Sequence, residues 1–140
     1  MEKELIIRKI KPADSESIAQ LTSELGSKVD TKMVNSQILE ILKTPDHYAF
    51  VAERESTVIG YIHCFRAIRL TSKPFTEICG LIVSEKERSK GIGKLLVQKV
   101  ESINKDLKIR VRCNSKRELA HKFYANLRYK LKKEQLIFEK

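Results

Sequence analysis

The feature that most constrains this chain is a junction. A short apolar run, Ile78 to Val83, gives way to the turn Arg88-Ser89-Lys90-Gly91-Ile92-Gly93. The turn opens a helical pattern from about Gly91 to Asn104, in which Ile92, Leu96, Val100 and Ile103 recur on one face. Leu107, Ile109, Val111 and Cys113 then alternate as strand residues do. A strand, a helix and a strand in that order make parallel neighbours joined by a crossover, because parallel strands need a long connection that returns over one face of the sheet. The junction therefore commits the chain to an α/β fold.

The flanking sequence supplies the rest. Leu5 to Arg8 reads as a first strand ended by Pro12, after which Asp14 or Ser15 caps a helix carrying Ile18, Leu21 and Leu25 and stopping at Gly26. Asp30-Thr31 opens a second helix with Val34, Ile38, Ile41 and Leu42 on one stripe, closed before Pro45. Tyr48 to Ala52, Val58 to Phe65 and Phe75 to Val83 are rich in β-branched and aromatic residues. With turns at Glu55-Ser56-Thr57 and Thr71-Ser72-Lys73-Pro74, they predict a three-stranded meander. A last helix over Ser115 to Leu127 precedes a strand from Tyr129 and another ending at Phe138. The expected order is β-α-α-β-β-β-α-β-α-β-β, a mixed central sheet flanked by helices. No repeat, linker or low-complexity tract interrupts it, so residues 1–140 are read as a single domain.

Several functional classes fall away on composition. The longest apolar stretch, Ile78 to Val83, is far short of the roughly 20 residues that cross a bilayer, and the first residues lack a secretion-signal profile. A cytoplasmic protein with no membrane partner is expected. Cys64, Cys79 and Cys113 form no CxxC pair and read as reduced core residues, with no metal or disulfide role. The net charge of +10 is one-sided: residues 1–70 hold ten basic and ten acidic side chains, residues 71–140 eighteen and eight. Such a field attracts a polyanion, either nucleic acid or a phosphate-rich small molecule.

The glycine turn bears on that choice. At the head of a helix, successive backbone N–H groups point outward at the positive end of the dipole, and glycines let an anion approach the main chain. A phosphate or pyrophosphate is the expected guest. Gly91-Ile92-Gly93 is followed by Lys94-Leu95-Leu96, so the third glycine of a dinucleotide fingerprint is missing, and Leu95 stands where a P-loop needs Ser or Thr. Arg88-x-x-Gly91-x-Gly93 after the strand Glu77 to Val83 resembles instead the acetyl-CoA signature of the GNAT superfamily of N-acetyltransferases. A second segment, Asn114-x-x-Arg117-x-x-Ala120-His121-x-Phe123-Tyr124, is similar to the one that carries that family's tyrosine. The element order is also the family's. One position departs: Arg128-Tyr129 replaces the usual glycine pair, and an arginine in a left-handed site costs about 1 kcal/mol.

The resemblance implies acetyl-CoA as cosubstrate, held by Arg88, Ser89, Lys90, Gly91, Ile92, Gly93 and Lys94. The main chain of Leu81, Ile82 and Val83 would bind the pantetheine arm like an added strand and direct an N–H at the thioester oxygen. Asn114 either fixes the pantetheine or caps the last helix, and Arg117 either touches a CoA phosphate or lies on a solvated face with His121. Acyl transfer to an amine needs a neutral amine, a polarised carbonyl and a proton for the departing thiolate. A lysine-like amine with a pKa of about 10.4 lies roughly 4.6 kcal/mol from its neutral form at pH 7. Glu77 is the candidate base; the alternative is a strand-end carboxylate paired with a surface lysine. A regular strand would put Glu77 on one face with Cys79, Leu81 and Val83, and a bulge, which the family has here, would alter that. Tyr124 is the candidate acid, on the face of Arg117 and His121 and opposite a seam of Leu119, Phe123 and Leu127. The alternative is a packing aromatic. His47 and His63 are assigned no role.

The reading is an acetyltransferase moving acetyl from acetyl-CoA to a primary amine by direct attack. No base stands beside Cys79 or Cys113 in sequence to make either a nucleophile. The partner is an amine acceptor, a small molecule or a peptide or protein; the resemblance implies that it is contacted by residues 26–35 and by the final strand connection near Lys132 to Gln135. A homodimer is compatible with the resemblance. The competing class is a catalytically silent CoA-sensing module or a nucleic-acid binder using Arg110, Arg112, Lys116, Arg117 and Lys122. With few aromatics and no base-reading motif, a nucleic-acid partner is not expected.

Overall fold

The computed structural model describes residues 4–140. Its elements are β1 (Leu5–Lys9), α1 (Ser15–Ser23), α2 (Thr31–Lys43), β2 (His47–Arg54), β3 (Thr57–Arg69), β4 (Ser72–Val83), α3 (Ile92–Ile103), β5 (Lys108–Val111) and α4 (Glu118–Asn126). Short 3-10 turns, Pro12–Asp14 and Glu85–Glu87, precede α1 and α3. The sheet runs β1-β2-β3-β4-β5 in space, antiparallel through β4 and parallel between β4 and β5. It is the mixed, helix-flanked sheet expected, with α3 as the crossover.

Each face of the sheet buries its own set of side chains. On one side Ile62, Cys64 and Ile78 meet Ile92, Leu96, Val97 and Val100 of α3 and Tyr124 of α4. On the other, Ala49, Val51, Val58 and Ile82 meet Ile18 and Leu21 of α1 and Val34 and Ile38 of α2. The alternation along the strands and the helical stripes thus find one another as the periodicities require. β2 turns into β3 through Glu55 and Ser56, both at positive φ (52° and 63°), a two-residue primed turn made without glycine. β3 and β4 are longer than expected, so that Ser72 to Pro74 belong to β4. Pro74 is tolerated where the ladder slips between Ala67 and Arg69 and asks no N–H of it.

Three expectations need correction. The two strands placed at Tyr129 and up to Phe138 are not formed, since residues 129–140 carry no regular secondary structure and every residue from Lys130 onward is exposed. The tail contains no Gly, Pro, Asn or Asp to reverse the chain, so it encodes no hairpin. α4 starts at Glu118 rather than Ser115, because Asn114 Oδ1 accepts from the Lys116 amide at 2.9 Å and holds a side-chain turn ahead of the helix. Cys79 is exposed rather than in the core, for a reason set by the bulge described next.

Candidate functional site

β4 has two unlike halves. From Phe75 to Ile78 it is paired on both sides, with Phe65 to Ala67 or Cys64 of β3 and with Lys108 to Val111 of β5. Beyond Ile78 the β5 ladder ends while β4 runs on to Val83, so among the described residues its last five present a main-chain edge with no strand beside it. Main-chain N–H and C=O groups seek partners, and such an edge accepts an added extended ligand. Leu81, Ile82 and Val83 all lie on it.

A register shift between His63 and Cys64 of β3 marks the division. An inserted residue reverses which face the following side chains take. Ile78 packs on the α3 side, and Leu81 and Val83 return to that side, whereas Ile82 packs on the α1 side. Glu77 and Cys79 therefore do not share a face with Leu81 and Val83, as a regular strand would require. Cys79 sits at the bulge, which is why it is exposed.

The end of β4 leads into the glycine turn. Arg88 Nε donates to the Val83 carbonyl at 3.2 Å, bracing the turn against the strand it follows. Ser89 and Gly91 are both left-handed, with φ of 65° and 84°. Among the described residues no side chain caps α3, so the first-turn amides around Ile92, Gly93 and Lys94 are left for an outside acceptor. The two glycines do different work. A Cβ on Gly91 would meet nothing within 4 Å, so Gly91 is there for its backbone angle. One on Gly93 would lie 3.1 Å from the Phe123 ring, so Gly93 lets α3 approach α4. The Ile92 side chain is core, leaving only its backbone for the turn. Lys90 pairs with Glu87 at 3.2 Å, and Arg54 holds the same carboxylate at 2.9 Å. Those two cations keep the Glu87 carboxyl below its ordinary range, the Lys90 hydrogen bond being the larger influence.

Tyr124 is the most buried residue of α4, 8% exposed, and joins the main core. The expected seam is corrected accordingly: Phe123 and Leu127 are half-buried against that core, whereas Leu119, in the first turn of a helix that starts late, is 81% exposed. Phe123 and Tyr129 meet the Tyr124 ring edge-on at 5.0 and 5.7 Å. Its hydroxyl makes no hydrogen bond among the described residues. Burial, assisted by the nearby Cys113 thiol and opposed by Arg117, drives the phenol well above its usual range, so it holds its proton throughout the neutral region. Arg117 caps the backbone of α4, and His121 Nε2 lies 3.0 Å from the Asn114 carbonyl oxygen. Asn114 thus secures the turn into α4 with its own side chain.

The helix exit resolves the departure at Arg128. The Tyr129 amide donates to the Tyr124 carbonyl and the Arg128 amide to Ala125, the paired bonds of a Schellman turn, and Arg128 sits at φ 70°. The turn that glycine usually makes is kept, and the Tyr124–Tyr129 ring contact accompanies it. The Tyr129 hydroxyl donates to Glu101 at 2.9 Å, fastening the exit to α3.

Glu77 is buried at 8% exposure, and Arg112 Nε donates to its carboxylate at 3.2 Å. The alternative to a base was a carboxylate paired at the strand end; a pair is present, with an arginine from just beyond β5. Sequence reasoning missed Arg112 as this partner and missed a second group altogether. Cys79 Sγ lies 3.1 Å from His63 Nδ1, and His63 Nε2 lies 3.0 Å from His47 Nδ1. Burial and then His47 push His63 down to about 4, and burial and then Glu77 push the Cys79 thiol up to about 11. Both are neutral at neutral pH. The available signal was the hairpin itself, since folding at Leu70-Thr71 brings residue 63 opposite residues 79 and 80.

The basic surplus is partly engaged: Arg110 lies 4.6 Å over the Phe75 ring and Arg112 pairs with Glu77. Two shallow clefts, one between α3 and Asn126 to Arg128 and one between Ile41 to Asp46 and β2, contain neither Glu77 nor Tyr124. A ligand lying along an open strand edge requires no closed cavity. Among the described residues there is no group of His, Cys, Asp or Glu side chains suited to a metal, and no helix long and apolar enough to cross a membrane.

The chain is similar to the crystal structure of aminoglycoside N-acetyltransferase AAC(6')-Iy in complex with CoA, with a TM-score of 0.86 at 18% identity over 100% of this chain and 97% of that one. It is also similar to aminoglycoside 6'-N-acetyltransferase AAC(6')-Ih from Acinetobacter baumannii, with a TM-score of 0.84 at 15% identity over 98% of each chain. A transcriptional regulator from Bacillus halodurans C-125 superposes with a TM-score of 0.83 at 20% identity, over 97% of this chain and 99% of that one. At these identities the likeness establishes the fold. No curated protein sequence matches the chain. The model of the acetyltransferase (GNAT) family matches residues 16–128, spanning both the glycine turn and the Tyr124 helix, and the chain belongs to that family.

Proposed function

We propose that this protein transfers an acetyl group from acetyl-CoA to a primary amine by direct attack. What carries the reading is that β4 loses its neighbour after Ile78 and leads, along that free edge, to an uncapped, left-handed glycine turn at the head of α3. The turn fits a diphosphate, with the amides of residues 89–94 as donors and Arg88 and Lys90 as cations. The edge at Leu81 to Val83 fits an amide-bearing arm and leaves an N–H for the thioester oxygen. In the reaction the amine nitrogen bonds to the acetyl carbon, the carbon–sulfur bond breaks, and the thiolate takes up a proton.

Tyr124 is the proton donor in this reading. Its hydroxyl has no protein partner among the described residues and keeps its proton, as a donor to a developing thiolate must. Glu77 accepts the proton that the amine loses, with Arg112 holding the carboxylate in place. The side chain of Glu24 accepts from the Glu85 amide at 3.0 Å, which brings the α1–α2 connection to the end of β4 as an acceptor-side wall. The neighbouring aminoglycoside acetyltransferases make aminoglycosides one acceptor class to test beside polyamines and peptide amines.

The deciding experiment is calorimetry with CoA, followed by an acceptor panel read by mass spectrometry. Binding and a single acetyl addition of 42 Da per acetylated amine, about the mass of C2H2O, are expected. Folded protein that ignores CoA would overturn the reading. Tyr124→Phe is expected to lower kcat by about a hundredfold or more with CoA affinity kept. Glu77→Gln should lower turnover most at low pH, and an unaltered pH profile would remove Glu77 from its role.

A further inference from the structure

The face of the sheet turned away from α3 is covered unevenly. α1 and α2 pack there on β2, β3 and Ile82, and that core takes no residue from the first half of β4 or from β5. Ile109 and Val111 pack toward α3, so the alternation along β5 sends Arg110 and Arg112 to the opposite face. Thr76 and Ile78 of β4 also face α3, so Phe75 and Glu77 lie beside those arginines. Phe75 is nevertheless 4% exposed, and what lies over it is charge. The guanidiniums of Arg110 and Arg69 stand 4.6 and 5.0 Å from its ring centroid.

These charges have too few partners. Glu77 is given to Arg112, and among the described residues Arg69 and Arg110 pair with no carboxylate. Both hang over one ring, so the two cations stand within about a Debye length of each other, about 10 Å at 0.1 M salt, and repel. An aromatic ring gives a guanidinium a surface to rest on but no oxygen for its five N–H donors, whose fork matches a carboxylate or a phosphate. The coenzyme does not supply that group. The strand from Phe75 to Val83 is about 25 Å long, which puts a diphosphate on the glycine turn out of reach.

We infer that the acceptor is an amine carrying an oxyanion, a carboxylate or a phosphate, which Arg69 and Arg110 hold while the nitrogen lies at Glu77. This rests on the acetyl-transfer reading, which puts the amine there. Residues i and i+2 of a strand lie about 7 Å apart, so the anion sits about that far from the nitrogen, a span of about five or six single bonds. A polyamine or an aminoglycoside would instead bring more positive charge against three guanidiniums with one carboxylate among them.

Matched probes test this: pentylamine, ω-aminopentanoate, ω-aminopentyl phosphate and pentane diamine share a chain length and differ in the charge at the far end, and an aminoglycoside serves as the polycation. Calorimetry of each into the protein with CoA in excess reads acceptor binding whether or not transfer follows. The anionic amines are expected to bind about tenfold or more tighter than pentylamine, and the diamine and the aminoglycoside more weakly than pentylamine. The tighter of the two anions identifies the group. Arg69→Gln/Arg110→Gln keeps side-chain stems over Phe75 and removes both charges; it should shrink the preference to about twofold or less, with circular dichroism and CoA affinity unchanged. If that variant does not fold, wild-type protein decides, because added salt should erode the preference for the anionic amines. Equal affinity for neutral and anionic amines, tighter binding of the diamine or the aminoglycoside, or a preference that neither the double variant nor salt reduces would each overturn the inference. If CoA itself does not bind, the acetyl-transfer reading falls, whereas the ranking of the amines still decides the arginine site.

Discussion

The two halves of β4 differ in what surrounds the same kind of backbone. Phe75 to Ile78 is locked: it has a ladder on each side, Thr76 donates to Asn104 at the end of α3 at 2.7 Å, and Ile78 is 1% exposed. Cys79 to Val83 has a ladder on one side only and begins at a bulge that turns Cys79 outward. The first half holds the sheet to its crossover helix; the second offers hydrogen-bonding groups to something else. The edge open to a ligand therefore starts at the residue where pairing stops, because a strand already satisfied on both edges has no main-chain group left to offer, and Glu77, in the locked half, can act only through its side chain.

The contrast can be broken from either side. Ile78→Ala removes a fully buried side chain from the locked half and should cost about 2–5 kcal/mol in denaturant unfolding, with the remaining folded protein still binding CoA. Gly91→Ala strikes the other end. A Cβ there meets no atom, so the expected loss is the left-handed backbone cost of about 1–2 kcal/mol, together with weaker CoA affinity by calorimetry. Equal CoA binding before and after would detach the turn from the site.

The bulge between the halves has a pH signature. His63 is pushed down to about 4 from an ordinary 6.5, so between those values the unfolded chain takes up a proton that the folded chain refuses. Stability should be full above about pH 6.5 and fall as pH drops toward 4, by about 1 kcal/mol once screening by solvent at the part-exposed ring is allowed for. Melting of His63→Asn should lose that contribution to the slope. The smallest effect belongs to Arg128→Gly, which relieves φ 70° at the exit of α4 and should raise stability by up to about 1 kcal/mol without changing turnover.

Much of this architecture was legible in residue spacing. The crossover at Ile78 to Cys113 showed as an apolar run, a 3.6-residue stripe and an alternating strand, and all three formed. The glycine turn was legible because few residues tolerate a left-handed angle ahead of a helix, and Gly91 has one. The tail was misread because alternation and β-propensity describe a strand's willingness to pair and are silent on whether a partner lies within reach. Tyr124 was placed outside the apolar seam because its spacing groups it with Arg117 and His121; the structure instead packs the phenol into the main core at 8% exposure and leaves Leu119, in the first turn of α4, 81% exposed.

Local sequence by itself determined the elements from β1 to α4, their order and the two motifs that mark the family, since periodicity and turn chemistry act within a few residues. Only the tertiary structure decided that Arg112 meets Glu77, that Cys79, His63 and His47 form one hydrogen-bonded row, that Gly93 exists to admit Phe123, and where β4 runs out of partners. Each joins groups from separate strands or helices, and such meetings depend on register, bulges and packing distances that no short window of sequence contains.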